Sequence, residues 1–266
     1  MFTCKKRLNT VVQGASLISL HLVLITAYLA EAVFGPPNAA ADPPTMVQPS
    51  EVEFLNVLKK DENDRVMVYK VKIGHRLCIM KVFRGQGDCP SFSPDVEPRL
   101  FLRESRAYRL LKDKGFCERG VVPDFYGTIE NIDVALWPDL SHLKADVFPP
   151  DAVLLEYIPN LQRIGPENFL DDNIKRLSQT LQEFHEMGLL HGDTFPRNMM
   201  VVRQQPRDRV LWIDFDCAQI VQRGKCEEWT EKSFSFEGEM MAEFAEFLAE
   251  DAKTGEINKT WLYYYD

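Results

Sequence analysis

Eight residues, His191-Gly192-Asp193-Thr194-Phe195-Pro196-Arg197-Asn198, are followed sixteen residues later by Asp214-Phe215-Asp216. They comprise an acidic residue that can accept a hydroxyl proton, an amide oxygen five residues on, and a second carboxylate at the end of an apolar run. Such groups are suited to phosphoryl transfer if the fold brings them together. Between them, Met199 to Val202 and Val210 to Ile213 read as a small hairpin whose turn is Gln204-Gln205-Pro206-Arg207-Asp208. Asp214 directly follows the run Val210-Leu211-Trp212-Ile213, so it needs a partner to offset its desolvation.

The 266 residues suffice for one large domain or for two lobes sharing a cleft, and 45% of them are hydrophobic. A net charge of -9 argues against a nucleic-acid-binding surface, which draws its affinity from clustered Lys and Arg. No nucleic-acid partner is expected, although local basic groups could bind a nucleotide. The six cysteines form no CxxC pair and read as reduced thiols. None of the five histidines stands at ligand spacing from a cysteine pair, which argues against zinc.

Lys5, Lys6 and Arg7 precede an uncharged run, Leu8 to Ala30, that closes on Ala30-Glu31-Ala32. Three readings stay open: a signal peptide, a single membrane anchor making contact through residues 8–30, or a leader outside the working protein. Gln13 and His21 count against a span, and the lack of a disulfide framework counts against secretion. The Pro- and Ala-rich stretch after the leader has the composition of a linker. Residues 1–49 are therefore set apart from a domain over 50–266.

In that domain Glu51 to Lys59, Arg65 to Ile73 and Arg76 to Val82 read as an antiparallel meander. Pro98 to Lys114 reads as a helix with Phe101, Tyr108 and Leu111 on one stripe. Strand-like segments follow at Val121 to Ile129 and Ala152 to Ile158, separated by a mixed loop from Asn131 to Pro150. Asn168 to Glu186 carries Leu170, Ile174, Leu177, Leu181 and Phe184 at helical spacing, with Gly188 as a stop. A last helix is expected over about Gly238 to Ala252.

This order of elements, with HxDxxxxN and then Asp-Phe-x, resembles the protein kinase-like fold over about Glu51 to Ala252. The resemblance implies an α+β, two-lobed protein. Its N-lobe, about 50–158, would hold a five-stranded antiparallel sheet, and its C-lobe, about 159–266, would be small, truncated and mainly helical. It implies that Lys81, at the end of Cys78-Ile79-Met80-Lys81, meets an ATP phosphate and pairs with Glu104. Taken alone, Lys81 would read as an edge-strand lysine in water and Glu104 as a surface helix residue. Asp193 corresponds to the catalytic base, with Arg197 supplying a cation beside it, and Asn198 and Asp214 to the Mg²⁺ ligands. In Leu155-Glu156-Tyr157-Ile158 the backbone of Glu156 and Ile158 would meet the adenine edge, and His191 would brace the loop.

The implied activity is transfer of the γ-phosphoryl group of Mg-ATP to a hydroxyl of a protein or small molecule. The domain would be cytoplasmic, with anchored and secretory alternatives raised by the leader. The chain departs from typical kinases in several places. Lys59-Lys60-Asp61-Glu62-Asn63-Asp64 contains no glycine, Gly192 stands where Arg is usual, and Asp216 stands where Gly is usual. Only 52 residues follow Asp214, with no Ala-Pro-Glu motif. These departures motivate the alternative of a pseudokinase, a nucleotide-binding or interaction module that keeps the fold without turnover.

Overall fold

The alternating apolar residues after residue 50 form three consecutive strands: β1 (Val52–Lys60), β2 (Val66–Ile73) and β3 (Arg76–Phe83). Pairing is antiparallel throughout, running from Val52↔Ile73 to Lys60↔Met67 and from Val66↔Phe83 to Ile73↔Arg76. Gly74 closes the second hairpin at φ +58°, a backbone state that costs glycine little. The structure is a computed structural model and describes residues 47–60, 65–86, 97, 99–221 and 228–264. The leader, the linker, Cys4, Cys89 and Cys226 lie outside the described residues.

Two more strands, β4 (Phe125–Ile129) and β5 (Asp151–Glu156), complete a five-stranded antiparallel sheet of order β1-β2-β3-β5-β4. Both are shorter than the strands expected from the sequence. Residues 121–124 stay outside the strand, where the Val121 carbonyl instead accepts from Trp212 at 3.0 Å. Ala152 to Leu155 are all buried because both faces of the sheet are covered. On one face lies α1 (Leu100–Asp113), whose Phe101, Tyr108 and Leu111 are buried as their spacing predicts. The other face is covered by the segment expected to be a mixed loop. That segment folds into two short 3₁₀ turns, Val134–Leu136 and Pro138–Leu143, and packs Ile132, Trp137, Leu140 and Leu143 against Met67, Tyr69 and Met80.

The remaining chain is built on helices α2 (Asp171–Glu186), α3 (Glu228–Asp251) and α4 (Trp261–Tyr264). Short strands join them: β6 (Gln162–Arg163), β7 (Leu189–Leu190), β8 (Met199–Val202), β9 (Arg209–Trp212) and β10 (Gln219–Ile220). The expected hairpin is β8–β9, from Met199↔Trp212 to Val202↔Arg209. Ile174, Leu177, Leu181 and Phe184 of α2 share a core with Trp212, Phe215, Met241, Phe244 and Leu248, and this core continues to Tyr108 of α1 and Phe125 of the sheet.

Helix α3 starts ten residues before the expected Gly238. Its buried stripe runs Ser233, Glu237, Met240, Met241, Phe244 and Leu248, and the first two members are polar, so the apolar periodicity misses the first turns. Gly238 lies inside the helix on an open side, with nothing within 4 Å of where a Cβ would stand. Helix α4 has no sequence counterpart among the expected elements. It is docked by Asp251, whose carboxylate accepts the backbone N–H groups of Asn258, Lys259 and Thr260 at 2.8 to 2.9 Å. Among the described residues no helix is long and apolar enough to cross a membrane.

Candidate functional site

Between the sheet and the helical part lies a cavity of about 700 Å³. Its walls include all eight residues singled out from the sequence: Lys81 and Glu104 from the sheet and α1, Glu156 and Ile158 from the end of β5, Asp193, Arg197 and Asn198 from the loop after β7, and Asp214 after β9. Separations of up to 133 residues in sequence are closed by the fold.

Lys81 stands on β3 between β2 and β5, so it is not an edge-strand lysine. Its ammonium is buried, 2.6 Å from Glu104 Oε2, 2.5 Å from Asp214 Oδ1 and 3.2 Å from Asp216 Oδ2. Burial disfavours the charged lysine, but Asp214, Glu104 and Asp216 outweigh it and raise its pKa well above the ordinary value. Glu104 is pushed up to about 8, first by burial, then by Asp214 and Asp216, with Lys81 opposing. The Lys81 contact with Oε2 is an ion contact, since that oxygen accepts no directed hydrogen bond. Burial also works to raise Asp214, but the charge and hydrogen bond of Lys81 prevail and hold its carboxyl well below the usual range. The partner that Asp214 required is therefore Lys81.

The loop from His191 to Asn198 is fixed from several sides. His191 is fully buried, its Nε2 3.1 Å from the Ile213 carbonyl and its ring packed on Trp212 and Phe215. Arg197 donates to Asp193 through Nε at 3.1 Å and Nη2 at 2.7 Å. Asn198 donates its amide N–H groups to the Asp193 carbonyl and to Asp193 Oδ2, at 2.9 and 2.8 Å. With the Asn198 nitrogen so occupied, its amide oxygen is the end left for a cation.

Glu156 lines the cavity, yet its carboxylate takes a forked pair from Arg209 at 2.7 and 2.8 Å, and its backbone N–H donates to Asp124. Arg209 also donates to the Gly120 and Val122 carbonyls, so this ion pair pins the end of β5 to the segment before β4. Hydrogen bonding to Arg209 and Asp124 overcomes burial and lowers the Glu156 pKa.

Three determinants of this site, Asp216, Glu237 and Gly192, have no functional assignment from sequence. Asp216 enters the Lys81 cluster as a third carboxylate; its position two residues after Asp214 was the available sign. Glu237, on α3, accepts the backbone N–H groups of His191 at 3.2 Å and Gly192 at 2.6 Å, and its Oε2 lies 2.7 Å from His185 Nε2. Gly192 has φ +79°, and a Cβ there would stand 2.2 Å from the Cys217 carbonyl oxygen, so the absence of Arg at this position has a steric cause. Asp214 itself has φ +66°, uncommon for a residue other than glycine.

The oxygen donors fit a hard divalent cation by chemistry: the carboxylates of Asp214 and Asp216 and the Asn198 amide oxygen are all of the type that Mg²⁺ prefers. One Asp214 oxygen and one Asp216 oxygen face Lys81, and the other Asp214 oxygen lies 4.0 Å from Lys59 Nζ. No family model matches the sequence, and no curated protein matches it.

Proposed function

We propose that this chain is a small, two-lobed, kinase-like phosphotransferase that binds Mg-ATP in this cavity and transfers the γ-phosphoryl group to a hydroxyl of a protein or small molecule. One observation carries the reading. Lys81, Glu104, Asp193, Asn198 and Asp214 come from four separate stretches of chain and line one cavity, with Lys81 bonded to Asp214 and in ion contact with Glu104.

In this reading the apolar part of the cavity, formed by Val66, Ile79, Leu155 and Met200, takes the adenine, whose edge meets the backbone of Glu156 and Ile158. Lys81 directs the phosphates. Asn198, Asp214 and Asp216 would hold Mg²⁺, which would supply charge neutralisation at the phosphate oxygens. The acceptor oxygen attacks the γ-phosphorus, the bond to the β-phosphate oxygen breaks, ADP departs, and Asp193 takes the hydroxyl proton. Arg197, already forked onto Asp193, orients that carboxylate.

A second reading, a nucleotide-binding module without turnover, is favoured by the same carboxylate. Asp193 is held by Arg197 on both oxygens and by Asn198 on one, so a hydroxyl must compete for it. Labelled-phosphate transfer from ATP, screened against alcohols and proteins, separates the two. Transfer or hydrolysis by the wild type that is lost in Asp193→Ala supports the enzyme. Mg²⁺-dependent nucleotide binding lost in Asp214→Ala, with no turnover, supports the module.

A further inference from the structure

We infer that Lys59, at the end of β1, receives the terminal phosphates of the bound nucleotide, replacing with a side-chain cation the backbone cover that a glycine-rich turn would give. The inference rests on the nucleotide reading above. The sequence from Lys59 to Arg65 contains no glycine, and both of these residues line the cavity. Backbone N–H groups cradle phosphates closely only where side chains are absent, so this sequence is poorly suited to that role.

The charges in the cavity decide which cation is available. Its walls bring Lys59, Arg65, Lys81 and Arg197 together with Glu104, Glu156, Asp193, Asp214 and Asp216, a balance of four positive to five negative groups. Glu156 is neutralised from behind by Arg209. Lys81 faces three carboxylates, and Arg197 is committed to Asp193. A polyphosphate entering this cavity therefore meets in Lys81 and Arg197 two cations that are already paired with carboxylates. Lys59 differs from them: its nearest carboxylate among the described residues is Asp214 at 4.0 Å, beyond hydrogen-bonding distance, and its side chain is 64% exposed. That position puts its ammonium at the Asp214 end of the cavity, beside a carboxylate assigned to the metal. A long, mobile lysine there can meet a phosphate oxygen without breaking an internal bond.

The test is calorimetric titration of the full chain with Mg-ATP and, separately, with adenosine, comparing wild type with Lys59→Met and Lys59→Arg. Lys59→Met is expected to weaken ATP binding roughly ten-fold and to leave adenosine within about two-fold, with Lys59→Arg recovering most of the loss. Raising the salt concentration should reduce ATP affinity less in Lys59→Met than in the wild type. Unchanged ATP affinity in Lys59→Met, or equal losses for ATP and adenosine, overturns the assignment while the nucleotide site stands. Failure of the wild type to bind either ligand overturns the nucleotide reading and the Lys59 role together. Lys59 is exposed and outside the core, so a matching thermal transition for all three proteins is expected and checks that they are folded.

Discussion

Glu237 accepts the backbone N–H of Gly192 at 2.6 Å, across 45 residues of sequence. The same carboxylate meets the His191 N–H and His185 Nε2, so one buried side chain of α3 ties the loop before Asp193 to the centre of the helical core. Replacing it with Ala leaves two loop N–H groups without their acceptor and removes the contact with His185. Glu237→Ala should lose about 3 kcal/mol in urea unfolding. Glu237→Gln, which keeps an acceptor oxygen, should lose clearly less. Equal losses for the two would mean that side-chain volume, not hydrogen bonding, sets the role of this residue.

Glu237 also shows where the sequence stops being legible. Asp193, Asn198 and Asp214 could be singled out because they stand in local patterns at fixed spacing, whereas Lys81 and Glu104 were singled out only through the resemblance in the order of elements. The meander and α2 could be found because their apolar residues alternate or recur at helical intervals. Glu237 belongs to no pattern: it is a polar residue on the buried stripe of α3, and the same polarity hid the first turns of that helix. The segment 131–150 was hidden for a related reason. Its apolar residues follow no period because 3₁₀ turns and irregular chain, rather than a long element, press Trp137 and Leu140 onto the sheet. Asp216 was visible, but only its contact with Lys81 at 3.2 Å gives it a part in the site.

Gly192 is the second point of fixation. At φ +79° any side chain is strained, and a Cβ 2.2 Å from a backbone oxygen forces the loop and the Cys217 segment apart. Gly192→Ala is expected to destabilise the fold by at least about 2 kcal/mol, the sum of a left-handed backbone penalty and a steric displacement. Because the displaced segment includes Asp216, the same variant should lose nucleotide-dependent thermal stabilisation even where it remains folded. A Gly192→Ala protein with wild-type stability and binding would falsify this account of the loop.

The back of the cavity contains an imbalance that predicts a gain. Tyr108 is fully buried, and its hydroxyl has no hydrogen-bond partner among the described residues. Its ring, by contrast, is well placed, stacked on Phe125 at 5.9 Å and edge-on to Phe215 at 5.2 Å. Burial and the nearby Glu104 raise the phenol pKa well above its ordinary value, so the group stays neutral. Tyr108→Phe keeps the ring contacts and removes an unmet polar atom. Its thermal unfolding should match the wild type or improve by up to about 1 kcal/mol. A clear loss would show that the hydroxyl bonds a water or ligand that the cavity admits.

Asp251 makes the stability of the C-terminal turn depend on pH. Its carboxylate accepts three backbone N–H groups and the Thr260 hydroxyl, the latter at 2.7 Å. Burial opposes ionisation, but the N–H groups of Lys259, Thr260 and Asn258 and the Thr260 hydroxyl outweigh it and bring the pKa from 3.8 down to about 2. A depressed folded-state pKa means that the unfolded chain binds the proton more readily. The contribution of Asp251 is therefore complete above about pH 4 and declines as pH falls through the folded value near 2. Asp251→Asn cannot ionise and should lose this contribution at every pH. The gap between the melting temperatures of wild type and Asp251→Asn should then be constant from neutral pH down to about 4 and narrow below it. A gap that stays constant down to pH 2 would mean that protonated Asp251 serves these donors as well as the carboxylate does, and that charge is not what docks α4.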